Sequence, residues 1–249
     1  MTKEKKRLLE ICVEGVSNAL KAALSGAQRI ELCVNLSEGG TTPSSAQIQM
    51  ARKYLHIPLY ILIRPRGGDF LYNDMEFEIM KSDIHFCGQT QCDGVVIGML
   101  LPDGTVDMKR SQELIDIACQ YNMGVTFHRA FDRSNDLFQA METIIELGCE
   151  RILTSGGYNT AIEGVDVIRQ LIEKANNRIV IMAGSGITPE NAGELIRKTG
   201  LTEIHGTFRA RVSSKMEYKN TKLNHQEEEY SLLQTDAEKI KMLLKYINN

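Results

Sequence analysis

The sequence predicts a single-domain (β/α)₈ barrel spanning residues 1–249, on three observations. Eight short β-rich runs alternate with amphipathic stretches of helical spacing. The length of 249 residues matches the usual size of such a barrel. The loop after the first run, Glu14-Gly15-Val16-Ser17, lacks the GxGxxG fingerprint that a doubly wound open sheet would carry there.

The elements follow in order. A strand over 8–13 leads into a helix over 16–24, and a strand over 29–33 into a helix over 44–54, announced by Thr42-Pro43-Ser44. The third strand, 58–63, precedes a helix over 76–86. The fourth, 94–97, is followed by a hairpin-like insert over 101–106, with Pro102-Asp103-Gly104 as its turn, and by a helix over 111–121. Strand 124–127 and helix 137–147 form the fifth unit, closed by Gly148, and strand 151–154 and helix 164–175 the sixth. The seventh pairs strand 178–182 with helix 190–199, opened by Thr188-Pro189 and closed by Gly200. A short eighth strand covers 203–204. Residues 1–7 read as a solvated leader, with Lys3, Lys5, Lys6 and Arg7. Residues 210–249 read as a rim segment, containing the acidic run Glu227-Glu228-Glu229, and a final covering helix over about 236–246.

Composition narrows the function classes. Hydrophobic content of 43% supports a sizeable core, and a net charge of −3 with mixed signs gives no nucleic-acid footprint. No apolar run approaches the ~20 residues of a membrane helix and no leading apolar segment is present, so no membrane partner and a cytoplasmic location are expected. Six cysteines without a CxxC pair favour free thiols over a standard zinc site.

Ionisable residues repeatedly finish the apolar strands, where a sheet buried on both faces should be almost wholly apolar. Alternation turns Glu10, Cys12 and Glu14 to the barrel interior on the first strand, and Glu31, Cys33 and Asn35 on the second. Arg64, His128 and His205 close other strands at the C-terminal end, where barrel active sites lie. Candidate catalytic residues are therefore Glu31, Arg64, His128, Asp132 and His205, with His128 exchanging a proton near neutral pH and Asp132 or Glu14 setting its tautomer. Asp132 has a second reading as a helix-start partner of Arg129, and Arg64 as the ion that neutralises Glu10 or Glu31. Arg66, Ser155, Gly156, Gly184, Ser185 and Gly186 are candidates for binding an anion, through a cation and glycine-rich strand-end turns. Cys12 and Cys33, on adjacent strands, form a candidate metal site for a soft ion such as Cu(I). A local site of His85, Cys87 and Cys92 is a further possibility.

The stretches RIELC (29–33), EGGTTPS (38–44), RPRGGDF (64–70), DGVV (93–96), TFHRAFD (126–132), LTSGG (153–157) and AGSG (183–186), with His205 and Met216, resemble the CutC family over about residues 8–218. The resemblance implies the barrel fold, a cytoplasmic location, a homo-oligomer (dimer or higher), and intracellular copper homeostasis with Cu(I) held by Cys12 and Cys33. The residues by themselves support a different function as well: an enzyme acting on a small anionic or phosphorylated metabolite by acid/base chemistry at the barrel mouth. A scaffold with a relic pocket is the third reading.

Overall fold

The computed structural model describes residues 7–220, 222 and 230–247. Lys3, Lys5 and Lys6 of the leader and the run Glu227-Glu228-Glu229 lie outside these residues. Eight parallel strands close on themselves in sequence order: β1 (Leu8–Glu14), β2 (Arg29–Cys33), β3 (Leu59–Leu62), β4 (Gly94–Ile97), β5 (Gly124–Phe127), β6 (Arg151–Thr154), β7 (Val180–Ala183) and β8 (Glu203–Gly206). Their crossovers are α1 (Val16–Leu24), α2 (Ser45–Tyr54), α3 (Asp74–Gln89), α4 (Met108–Gln120), α5 (Leu137–Glu146), α6 (Val165–Ala175) and α7 (Pro189–Thr199), and α8 (Ala237–Ile247) completes the ring.

Strand alternation divides each strand between two environments. Leu9, Ile11 and Val13 of β1, Ile30 and Leu32 of β2, and Val125 and Phe127 of β5 pack outward into the helix layer with Ala19, Ala22, Ile48, Met80 and Leu114. Each such aliphatic side chain removed from water contributes about 1.5–3 kcal/mol. The opposite parity faces the barrel axis, where a smaller apolar cluster of Cys12, Cys33, Tyr60, Leu62 and Val96 is flanked by Leu36. Leu153 and Met182 are further buried apolar side chains of inward parity, and charged and polar groups fill the rest.

Local chemistry sets the boundaries. Ser44 and Gln47 form a capping box at the start of α2. At α7, Pro189 occupies the first turn, the Thr188 N–H donates to Asn191 Oδ1 at 2.8 Å, and Gly200 ends the helix at φ 70°. Two helices start earlier than their apolar spacing suggests because side-chain caps sit upstream. Asn73 and Glu76 cap α3, and Asp107 caps α4. The insert after β4 is a bridge between Leu100 and Val106, with the Gly104 N–H donating to Leu101 O.

The rim segment is more ordered than its composition suggests. β9 (Arg209–Ser213) pairs antiparallel with β10 (Ser231–Thr235), so the chain leaves the barrel as a two-stranded ribbon before α8. Arg211-Val212-Ser213 reads as a loop by composition, and its strand character comes from the partner strand about 20 residues later.

Candidate functional site

Register brings the interior groups together. In the parallel ladders Glu10 lies opposite Arg29 on one side and His205 on the other, while Cys12 lies opposite Glu31. β1 is therefore the hub of a polar interior built with β2 and β8.

The lower layer is a closed ion network. The Arg29 guanidinium donates to Glu10 and, at 2.5 Å, to Glu203, and it also contacts Met182 Sδ. Arg151 donates to Thr126 Oγ1 and Glu150, and its Nε lies 3.3 Å from Glu203. Both guanidinium groups stand over the Tyr60 ring, about 5 Å from its centre. Arg29 thus takes the part that the sequence suggests for Arg64. Parity puts Arg29 on the face of Glu31 and Cys33, and Arg151 opens β6, but the ladder register is what sets Arg29 opposite Glu10.

Above this layer sit Cys12, Cys33, Glu31 and His205. The two Sγ atoms are 3.4 Å apart, and Cys33 also contacts Val13 O. His205 Nδ1 donates to Glu10 Oε1 at 2.7 Å and lies 3.5 Å from Glu31 Oε2. Ligand atoms of Cys12, Glu31 and His205 all lie within 4.8 Å of one another, the sole such grouping of three or more His, Cys, Asp or Glu among the described residues. All three side chains are buried.

Electrostatics separates these acids and bases. Burial would raise Glu10, but Arg29 and His205 outweigh it and hold the carboxyl at about 2. For Glu31 burial dominates and, with Glu10 adding to it against His205 and Arg29, pushes it up to about 7. Burial would lower His205, but Glu10 and Glu31 raise it above its ordinary value. The hydrogen bond with Cys33, burial and the charge of Glu31 push the Cys12 thiol well up. Glu31 Oε2 has no hydrogen-bond partner.

The other sequence-derived candidates are spread over the rim. His128 Nδ1 accepts from the Ala130 N–H at 3.0 Å, which places the proton on Nε2, a buried atom without a partner. Its ring packs on Phe70, and Gly98 admits it, since a Cβ there would lie 2.4 Å from the imidazole. Burial and the Arg64 charge lower His128 to about 3, far from the neutral-pH exchange suggested by its residue type. Neither Asp132 nor Glu14 sets its tautomer. Arg64 donates to the carbonyls of Glu38, Gly40 and Gly68, so it clamps two loops rather than meeting Glu10 or Glu31.

Asp132 accepts from Thr154, Ser155, Gly157 and Arg129, and so ties down the loop after β6. That loop holds Ser155 and Gly156, both engaged within it. Arg66 is committed to Glu76, Asp69 and the Leu71 carbonyl. The β7–α7 loop is different. Gly184 bonds back to Thr154 O, but Ser185 and Gly186 line a cavity of about 850 Å³ with His205, Leu36, Arg209 and Lys239. His85 contacts Tyr121, and it forms no metal-binding group with Cys87 and Cys92.

Fold and site define a class, a parallel (β/α)₈ barrel with a soft-donor cluster of thiols, imidazole and carboxylate in its upper interior. Comparison with known proteins makes it specific. Residues 7–210 match the CutC family, and the chain belongs to that family. It is 45% identical over 240 residues to the human copper homeostasis protein cutC homolog, covering 95% of this chain and 87% of that protein. It is 42% identical over 241 residues to a CutC family protein of Parabacteroides distasonis, covering 95% of this chain and 98% of that one. The crystal structure of a CutC protein from Streptococcus agalactiae superposes with a TM-score of 0.77 at 38% identity, over 81% of this chain and 98% of that one.

Proposed function

We propose that this protein serves copper homeostasis by holding Cu(I) at Cys12 and Cys33, with His205 and Glu31 beside the thiols. The observation that carries this reading is the pair of buried sulfurs 3.4 Å apart on neighbouring strands. Cu(I) is a soft ion that prefers sulfur, and the donor set fits it. Cys12 and Cys33 would hold the ion through their sulfurs, and His205 or Glu31, whose ligand atoms lie within 4.8 Å of Cys12 Sγ, would supply a further donor. Glu10 receives the Nδ1 proton of His205, the outer-layer pattern that orients a ligating imidazole.

Because the Cys12 thiol is held protonated, metal uptake displaces its proton. Leu36 packs against the thiol cluster and also lines the 850 Å³ cavity, so the cavity adjoins the proposed metal site.

Anaerobic titration of the metal-free protein with Cu(I), in competition with a chromophoric chelator, should give one tightly bound ion per chain. Cys12→Ser combined with Cys33→Ser should abolish that uptake with the far-ultraviolet spectrum and melting temperature retained. Undiminished uptake by the folded double variant sinks the assignment.

The six free thiols suit a reducing compartment, and no helix among the described residues is long and apolar enough to cross a membrane, so the proposed location is the cytoplasm. A homo-oligomer is proposed on the exposed apolar side chains of the ribbon, Val212, Leu232 and Leu233. Sedimentation should give a mass of at least two chains, and Leu232→Glu with Leu233→Glu should shift it to one.

A further inference from the structure

We propose that the cavity above His205 is a second ligand site, which takes a small phosphate-type dianion, specifically the phosphoryl end of a small organic monoester. The cavity of about 850 Å³ is formed by the loops after β7 and β8, the first turn of α7, and the cationic side chains Arg209 and Lys239 brought in by β9 and α8. Arg129 reaches it from the loop after β5.

Four features point to a phosphate-type anion. First, His205 is nine-tenths buried and lines the cavity, and with Nδ1 on Glu10 its Nε2 has no hydrogen-bond partner among the described residues. Second, the backbone turns at Ser185 (φ 79°) and Gly186 (φ 68°), and the N–H groups of Ser185, Gly186 and Ile187 have no hydrogen-bond partner among the described residues. Consecutive N–H groups in such a turn form an anion-binding concavity. Third, these donors adjoin the positive end of α7, an 11-residue helix. Fourth, three cations face the cavity against one lining carboxylate, Glu190.

The cations are partly compensated: Arg209 reaches Glu14 at 3.2 Å, Arg129 is paired with Asp132, and Lys239 lies 4.0 Å from Asp236. Lys239 also donates to the Arg209 carbonyl at 3.0 Å, which ties the two cationic residues together at the cavity wall. The remaining wall is apolar, with Leu36, Ile187, Phe208 and Met242, which suits an organic group attached to the phosphate rather than the free ion alone. Loops after strands seven and eight form phosphate sites in many barrels, so backbone geometry and side-chain chemistry agree here. Of the anion-site residues expected from sequence, this cavity uses Ser185 and Gly186. It does not use Arg66, Ser155, Gly156 or Gly184.

The site shares His205 with the copper reading but does not need the metal, so its test uses the metal-free full-length chain. Inorganic phosphate serves as the probe, titrated calorimetrically at low ionic strength with chloride of matched ionic strength as control. Saturable binding is expected in the wild type and in the Cys12→Ser, Cys33→Ser variant alike. Arg209→Gln with Lys239→Gln should weaken it by about tenfold or more, since charge-assisted hydrogen bonds are lost. Lys198→Gln, at the far end of α7, should leave it unchanged. A wild type without saturable heat, or a folded Arg209→Gln, Lys239→Gln variant that binds as before, overturns the proposal. Loss of phosphate binding in Lys198→Gln as well overturns it too, since it would mark general charge attraction. Failure of copper uptake with phosphate binding intact separates this proposal from the previous one.

Discussion

The lower and upper layers of the barrel interior contain the same kinds of residue but obey different rules. Below, Arg29, Glu10, Glu203 and Arg151 pair with one another, with Arg151 Nε the one buried nitrogen of the two guanidinium groups left without a hydrogen bond, and Tyr60 spreads its ring beneath both of them. Above, Glu31 has a carboxylate oxygen without a partner, His128 has an orphan Nε2, and two thiols face each other. Buried charges are tolerated when paired and hydrogen-bonded, so the lower layer supports structure. Unsatisfied buried groups cost stability and mark places kept for another purpose.

Three substitutions test this contrast. Arg29→Met leaves Glu10 with His205 alone and Glu203 with Arg151 alone in the lower layer, and should cost about 3 kcal/mol in chemical denaturation at pH 7. A cost below 1 kcal/mol would remove the lower layer's structural role.

Glu31→Gln should act in the opposite direction. Its folded-state value of about 7 lies above the ordinary 4.5, so the folded protein holds a proton there that the unfolded chain has lost. The ionised side chain therefore penalises folding increasingly as pH rises from 4.5 through 7. The variant should gain about 1–3 kcal/mol at pH 8, and the gain should shrink toward pH 4.5. Denaturation curves at both pH values read this directly, and a loss of stability at pH 8 would place Glu31 with the lower layer.

His128→Asn gives the smallest effect. His128 is depressed from 6.5 to about 3, so its neutral form contributes stability fully above pH 6.5 and loses it as pH falls toward 3. Between pH 6.5 and 4.5 the wild type should lose about 1 kcal/mol per pH unit through this group, and the variant should lack that slope. Equal slopes would mean that the imidazole is not held neutral by its surroundings.

Much of this organisation was legible in the chain itself. Alternation assigned Glu10, Cys12, Glu31, Cys33, Arg64, His128 and His205 to strand interiors and ends, because side-chain direction along a strand is a local property. Partnership was not legible. Arg64 and Arg29 look equally able to neutralise Glu10, yet ladder register sets Arg29 directly opposite it, while Arg64 lies beyond β3 and meets loop carbonyls. Asp132 likewise offered two readings, and besides its pairing with Arg129 it accepts from Thr154 at the end of β6 and from Ser155 and Gly157 in the loop that follows, contacts that only the fold supplies. The ribbon of β9 and β10 escaped detection because each strand depends on a partner separated by a stretch without periodicity.

The sequence by itself determined the eight-fold alternation, the family and the two cysteines on neighbouring strands, since period, motif and parity are all carried by nearby residues. Tertiary structure alone decided which charges meet, that Glu31 rather than His128 titrates near neutral pH, and that a cationic cavity stands over His205. Those outcomes depend on barrel closure, which puts β8 beside β1 and brings residues nearly 200 positions apart into hydrogen-bonding distance in a medium that water does not screen.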